Sequence, residues 1–172
     1  MTDPVAEAPR SVTAEAFRAA MACHAAGVVV VTTRETTGRP WGLTVTSFSS
    51  VSLEPPLILV CVAERASGYP AFAACTEFAV SVLDEGQEDV AARFARSGAE
   101  KFAAHETGDT PAAAPVVAGA LCRLDCHVHA RHPAGDHLLL VGRVTSVRYR
   151  QGAPLIHHRQ AFHVLRSGVV AS

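Results

Sequence analysis

The hydrogen-bonding side chains of this sequence are densest in Gly42-Leu43-Thr44-Val45-Thr46-Ser47-Phe48-Ser49-Ser50-Val51-Ser52-Leu53-Glu54-Pro55-Pro56, which carries six hydroxyls between two strand-like runs. Side chains alternate across a strand, so Thr44 and Thr46 share one face while Leu43 and Val45 share the other. Hydroxyls gathered in this way are small, uncharged hydrogen-bonding groups that suit a phosphate or a polyol. Pro55-Pro56 offers no amide hydrogens and favours an extended backbone before it. That fixes how Ser50 to Leu53 lies and leaves a place where a flat ring could rest. A Ser/Thr-rich edge strand with a loop has the same composition, so spacing alone does not choose between the two.

Three further groups could do chemistry. Gly135-Asp136-His137 reads as a turn entering a strand, with Asp136 capping the turn and His137 half-buried beyond it. Lys101 and Phe102 stand together after a helical segment, where a solvated charge and a packed ring are the simple readings. Cys122-Arg123-Leu124-Asp125-Cys126-His127-Val128-His129 raises a metal site. Strand alternation separates its thiols from its imidazoles, however, leaving only His127 and His129 able to share an ion. Tetrahedral zinc needs four converging ligands, so no metal is expected. His157-His158 is expected on the surface or lining a pocket.

The elements that must position these groups are mainly strands. Thr13 can cap a helix in which Phe17, Met21 and His24 recur at helical spacing, with Gly27 as a left-handed stop and the apolar face packed on the sheet. Val28 to Thr33 and a return strand opened by Trp41 make a hairpin around Glu35-Thr36-Thr37-Gly38. Leu57 to Val62 and Glu77 to Leu83 read as strands, with a short helix from Ser67 to Cys75 between them. Gln87 to Ser97 is helical, with Val90 and Phe94 one turn apart, and Ala99 to His105 continues as a second short helix. After a Gly/Pro/Ala-rich loop from Thr107 to Pro115, long strands run over Leu121 to His129 and His137 to Arg148. Ala161 to Leu165 then closes the sheet. Residues 13–166 form one domain, 1–12 a loose leader and 167–172 a frayed end.

Composition narrows the function. With 172 residues, 49% hydrophobic, the chain can bury one substantial core. A net charge of -1 and a pI near 6.7 give no basic footprint for nucleic acid. No apolar run approaches the ~20 residues of a membrane span, and no secretory signal precedes residue 10, so a cytoplasmic protein without membrane partners is expected. Five cysteines in that setting are reduced rather than a disulfide framework. The sequence has no nucleophile elbow, no phosphate-binding loop and no Gly-x-Gly-x-x-Gly fingerprint, which disfavours a dehydrogenase of the dinucleotide-fold type.

Taken in order, the hydroxyl motif, Leu57 to Val62, Phe78-Ala79-Val80-Ser81-Val82-Leu83, Phe94-Ala95-Arg96, Lys101-Phe102, Gly135-Asp136-His137 and Val141-Gly142-Arg143-Val144 resemble the short-chain flavin reductases that serve two-component monooxygenases. The likeness covers roughly residues 15 to 165. It implies a closed antiparallel split β-barrel with a few short helices, usually a homodimer. The implied activity is an NAD(P)H:flavin oxidoreductase that passes hydride from NADH or NADPH to FMN or FAD and hands the product to a flavin-dependent monooxygenase component.

By the same resemblance, Thr44, Thr46 and Ser47 lie on the ribityl chain and phosphate, with Val45 between them also cofactor-binding, while Ser50, Val51 and Ser52 set backbone groups along the ring's polar edge. Cys61, Ala63 and Ser67 complete that side. Lys101 supplies a cationic phosphate contact, with Arg96 as a competitor, and Phe102 covers an apolar part of the cofactor or its adenosine end. His137 is the catalytic-site residue expected to hold the nicotinamide carboxamide or the flavin edge, with Asp136 fixing its tautomer or the turn. Where the family often carries an aromatic near its last strands, this chain has Pro154-Leu155-Ile156-His157-His158. Tightly bound FMN serving another acceptor, a non-enzymatic flavin-binding module and a metal at His127 and His129 are the other readings.

Overall fold

The computed structural model describes residues 11–97, 101–102, 107–108 and 114–165. Helix α1 (Ala14–Met21) is followed by β1 (Ala26–Gly27), β2 (Val29–Arg34), β3 (Pro40–Val45), β4 (Ser49–Ser52) and β5 (Leu57–Ala63). Helix α2 (Tyr69–Ala74), β6 (Glu77–Val82) and α3 (Glu88–Ala95) come next, then the short strands β7 (Thr107–Gly108) and β8 (Val116–Val117). The chain ends in β9 (Cys122–Ala134), β10 (His137–Tyr149), β11 (Leu155–His158) and β12 (Ala161–Val164).

Seven strands form one antiparallel sheet in the order β3-β2-β6-β9-β10-β5-β4. Its edge strands, β3 and β4, are consecutive in the chain and joined only by Thr46-Ser47-Phe48. Four residue steps reach at most about 14 Å, whereas the edges of a flat seven-stranded sheet would stand roughly 29 Å apart at the usual strand spacing. The sheet must therefore curl, bringing the end of β3 and the start of β4 within that reach. Among the described residues no ladder pairs β3 with β4.

Alternation inside this curl builds the core. Leu57–Ala63 buries every second residue, placing Ile58, Val60 and Val62 against Phe72, Phe78, Val80, Leu124, Cys126 and Leu140. Trp41, Leu43, Val45 and Phe48 pack on the same cluster. Gly142 stands at a β-bulge, where a Cβ would overlap the buried Phe78 ring, so the bulge admits that ring to the core. The last residues of β9, including Pro133, pair with β10 alone, which is why a proline without an amide hydrogen is accommodated there. On the outer face α3 packs Val90, Ala91 and Phe94 against Val28, Val30 and Leu83.

Several expectations are corrected. Helix α1 forms with Thr13 as its cap, the Thr13 Oγ1 accepting from the Ala16 amide at 3.1 Å, but it buries no residue. Phe17 and Met21 are 58% and 52% exposed, so no sheet face covers them. The helix stops at Met21 through an ordinary right-handed cap at Ala22, and Gly27 belongs to β1 instead. The final strand β12 does not close the main sheet: it pairs with β11, which pairs with β1, as a separate three-stranded sheet. Leu53 to Pro56 turns, with a cis Glu54–Pro55 bond, rather than running extended. Of the second short helix, only Lys101 and Phe102 are described, and they are not helical; its remainder and most of the 1–12 leader and the 167–172 end lie outside the described residues.

Candidate functional site

A cavity of about 560 Å³ is lined by β3, the β5–α2 connection, α3 and the β11–β12 hairpin. Of the residues expected at a cofactor site, Thr44, Val45, Thr46, Ser47, Cys61, Ala63, Ser67, Lys101 and His137 line it. Ser50, Val51, Ser52, Phe102 and Asp136 do not. Ser50 and Val51 are exposed on the edge strand β4. Phe102 packs edge-on against Phe94, with ring centroids 5.2 Å apart, under Gly42.

The lining hydroxyls divide into two kinds. Thr44 Oγ1 donates to the Ala91 carbonyl at 2.7 Å, docking α3 on β3. Ser47 Oγ accepts from the Cys61 amide at 2.9 Å and donates to the Cys61 carbonyl at 3.3 Å, tying the β3–β4 link to β5. Both hydroxyls have spent their single hydrogen and retain only acceptor capacity toward a ligand. Thr46 and Ser67 make no hydrogen bond within the described residues, so their donors remain available in the cavity.

Lys101 reaches in with its charge already shared. Its Nζ donates to the Gly42 and Phe94 carbonyls, each at 3.0 Å, leaving one hydrogen, and burial pulls its pKa below the ordinary lysine range. Gly42 is required for this arrangement, since a Cβ there would lie 2.6 Å from the Phe94 ring. Arg65 and Arg96 also line the cavity, which has three cationic side chains and no carboxylate among its described lining residues.

His137 is the first residue of β10, held between Ala63 of β5 and Ala134 of β9. Its Nδ1 lies 2.7 Å from Asp136 Oδ1, and that hydrogen bond, followed by the attraction of the imidazole charge, holds the Asp136 carboxyl below its usual range. An Nδ1–H donated to the carboxylate leaves Nε2 of the neutral ring as an acceptor. The turn carrying this pair is fixed by Gly135 at φ 61° and by the Glu64 amide donating to the Asp136 carbonyl at 3.0 Å.

No local motif marks Arg65 or Phe162 for this cavity, and the His157-His158 pair is compatible in sequence with either surface or pocket. The β11–β12 hairpin turns through Arg159 and Gln160, both at positive φ (49° and 63°) without the glycine or asparagine that announces such a turn. At the other candidate centre, Cys122 and Val128 pack with the buried Leu124 and Cys126 on the core face, while His127 pairs with Glu77 at 3.2 Å outside. Among the described residues no three metal-ligating side chains converge, and all five cysteines are free thiols.

A family model described as a flavin reductase like domain matches residues 21–166. The chain is 48% identical over 156 residues to the actinorhodin polyketide dimerase of Streptomyces coelicolor, spanning 90% of this chain and 88% of that one. It is 40% identical over 152 residues to the reductase component of 4-hydroxyphenylacetate 3-monooxygenase from Thermus thermophilus, spanning 88% and 96%. The solved structure of an NADH:FAD oxidoreductase from Streptomyces globisporus, in complex with NAD and FAD fragments, superposes with a TM-score of 0.85 at 32% identity over 91% of this chain and 94% of the other. With its sequence match spanning most of the chain and its fold shared with that oxidoreductase, this protein belongs to the flavin reductase family.

Proposed function

We propose that this chain is an NAD(P)H-dependent flavin reductase that uses FMN or FAD and supplies reduced flavin to a flavin-dependent monooxygenase. The observation that carries the reading is the composition of the cavity. Three cations and unpaired hydroxyl donors, with no lining carboxylate, suit a phosphate-bearing ligand, and apolar walls beside them suit a flat ring. The donor set therefore fits a flavin nucleotide. When bound, the flavin supplies the hydride chemistry, accepting two electrons and a proton equivalent from the reduced nicotinamide.

The protein's own part is binding and orientation. Thr46, Ser67 and the remaining Lys101 hydrogen donate to phosphate, while Thr44 and Ser47 accept from ribityl hydroxyls. Val45, Cys61 and Ala63 form the wall along the ring. Ser50, Val51 and Ser52 lie on the edge strand β4, where backbone groups can meet the ring's polar edge outside the cavity, and Phe102 acts through Phe94. His137 receives the nicotinamide carboxamide N–H at Nε2, and Asp136 fixes that tautomer. No residue need transfer a proton, so the site works by alignment.

This reading includes a closed split barrel and a homodimer. Trp41 and Phe48 pack inward on the core cluster and are not candidates for that contact. Phe17, Met21, Leu53 and Tyr149 remain exposed, Leu53 and Tyr149 by 87% and 83%, and a second copy would cover them. The reading also includes a cytoplasmic site of action; among the described residues no helix is long and apolar enough to cross a membrane.

One anaerobic experiment tests the function. The protein is mixed with FMN or FAD and then NADH or NADPH, and the flavin absorption band is followed. Catalytic bleaching by at least one pair is expected. Flavin binding without bleaching by either nicotinamide would overturn the assignment. Light scattering on the same sample should give about twice 18.0 kDa.

A further inference from the structure

The β11–β12 hairpin brings two rings to the cavity that the hydride reaction does not use. His157 of β11 stands directly opposite Phe162 of β12 and beside Ala26 of β1 in one row across three strands. The His157 and Phe162 rings are 5.9 Å apart and inclined at 68°, forming a corner in which a flat group stacked on one ring meets the edge of the other. Both are half-buried and line the cavity, and the ring nitrogens of His157 have no hydrogen-bond partner among the described residues.

The corner is prepared before any ligand arrives. Leu155 is fully buried at the start of β11, its amide donating to the Leu83 carbonyl at 3.0 Å and its carbonyl accepting from the Val28 amide at 3.0 Å. At the other end the Arg159 amide donates to the Ala22 carbonyl at 3.3 Å, and strands on both sides hold His157. Small and apolar residues, Val28, Ala91 and Ala95, leave width beside the rings, and Arg96 and Ser97 continue the same cavity with donors. Two rigid rings, an apolar floor and adjacent cationic donors are what a purine nucleotide requires.

We propose that the His157–Phe162 corner is a subsite for the adenine of an adenosine phosphate, with Arg96 and Ser97 toward its phosphate. This rests on the flavin reductase reading, which offers two carriers of that group, FAD and the nicotinamide dinucleotide. The test titrates the parent and the His157→Ala and His157→Phe variants with AMP, FMN and FAD by calorimetry. Each is then assayed with NADH and with reduced nicotinamide mononucleotide.

His157→Ala should weaken AMP at least about fivefold, the lower end of what base–aromatic stacking contributes, while His157→Phe keeps the ring and most of the affinity. FMN affinity should stay at the parent value in both variants, which also reports an intact cavity. A parallel loss for FAD places the adenine on the flavin, and a raised KM for NADH but not for the mononucleotide places it on the nicotinamide carrier. No AMP binding to the parent would overturn the subsite, as would a His157→Ala variant in which both dinucleotides behave as the parent's. A parent that binds AMP at His157 yet reduces neither flavin would instead overturn the reductase reading and leave the subsite standing.

Discussion

Replacing Ser47 with alanine should destabilise the fold without removing a ligand donor, and replacing its neighbour Thr46 with valine should do the reverse. The Ser47 hydroxyl is the tie between the β3–β4 link and β5, accepting from the Cys61 amide at 2.9 Å and donating to its carbonyl at 3.3 Å. A neutral hydrogen bond nets about 0.5–1.5 kcal/mol, and stranding a buried partner costs about 1–3 kcal/mol. Cys61 is only half-buried, so water relieves part of that penalty and the loss should be about 1–2 kcal/mol. At roughly 2–4 °C per kcal/mol for a domain of this size, Tm should fall by about 2–8 °C.

Thr46 is exposed to the cavity with no partner in the described residues, so Thr46→Val should leave Tm within about 1 °C. It should weaken flavin roughly two- to tenfold through one lost hydrogen bond. Thermal unfolding followed by circular dichroism, and flavin titration followed by fluorescence, separate the two effects. The reasoning fails if Ser47→Ala melts like the parent yet loses flavin affinity as Thr46→Val does, because the Ser47 hydrogen would then belong to the ligand.

His137→Ala should raise the KM for NAD(P)H and lower kcat/KM about five- to 150-fold with flavin binding nearly intact, and His137→Asn should recover part of it. Stopped-flow reduction at the parent rate with parent nicotinamide saturation would make His137 a structural strand residue. Burial, helped by the neighbouring Asp125 carboxylate, pushes the Cys126 thiol up to about 12, so the folded chain keeps a proton that the unfolded chain releases above about pH 8.5. Stability should therefore decline as pH rises from about 8.5 toward 12, and Cys126→Ala should flatten that decline. Urea midpoints measured from pH 8 to 10.5 check this, and an unchanged slope in the variant would refute it.

The strands and the main site segments were legible because local rules govern them. Period-two burial in Leu57–Ala63, the Thr13 cap and the Gly38 turn between β2 and β3 depend on residues close in sequence. The hydroxyl motif, Lys101 and His137 were also legible as chemistry, since residue type alone reveals a donor or a cation. What those groups are free to do was decided by tertiary structure. Thr44 gives its hydrogen to Ala91 and Ser47 gives its own to Cys61, partners 47 and 14 residues away, which no local pattern announces.

The curl of the sheet is likewise tertiary. It follows from β3 and β4 being at once chain neighbours and opposite edges, a fact of strand order that the alternation of a single strand does not contain. The His157–Phe162 corner was hidden for a third reason. Its turn forces Arg159 and Gln160 to positive φ, a conformation imposed by the pairing of β1, β11 and β12 rather than by the preference of those two residues. The sequence alone thus determined which side chains could bind a nucleotide, and only the folded chain determined which of their hydrogens remained to do so.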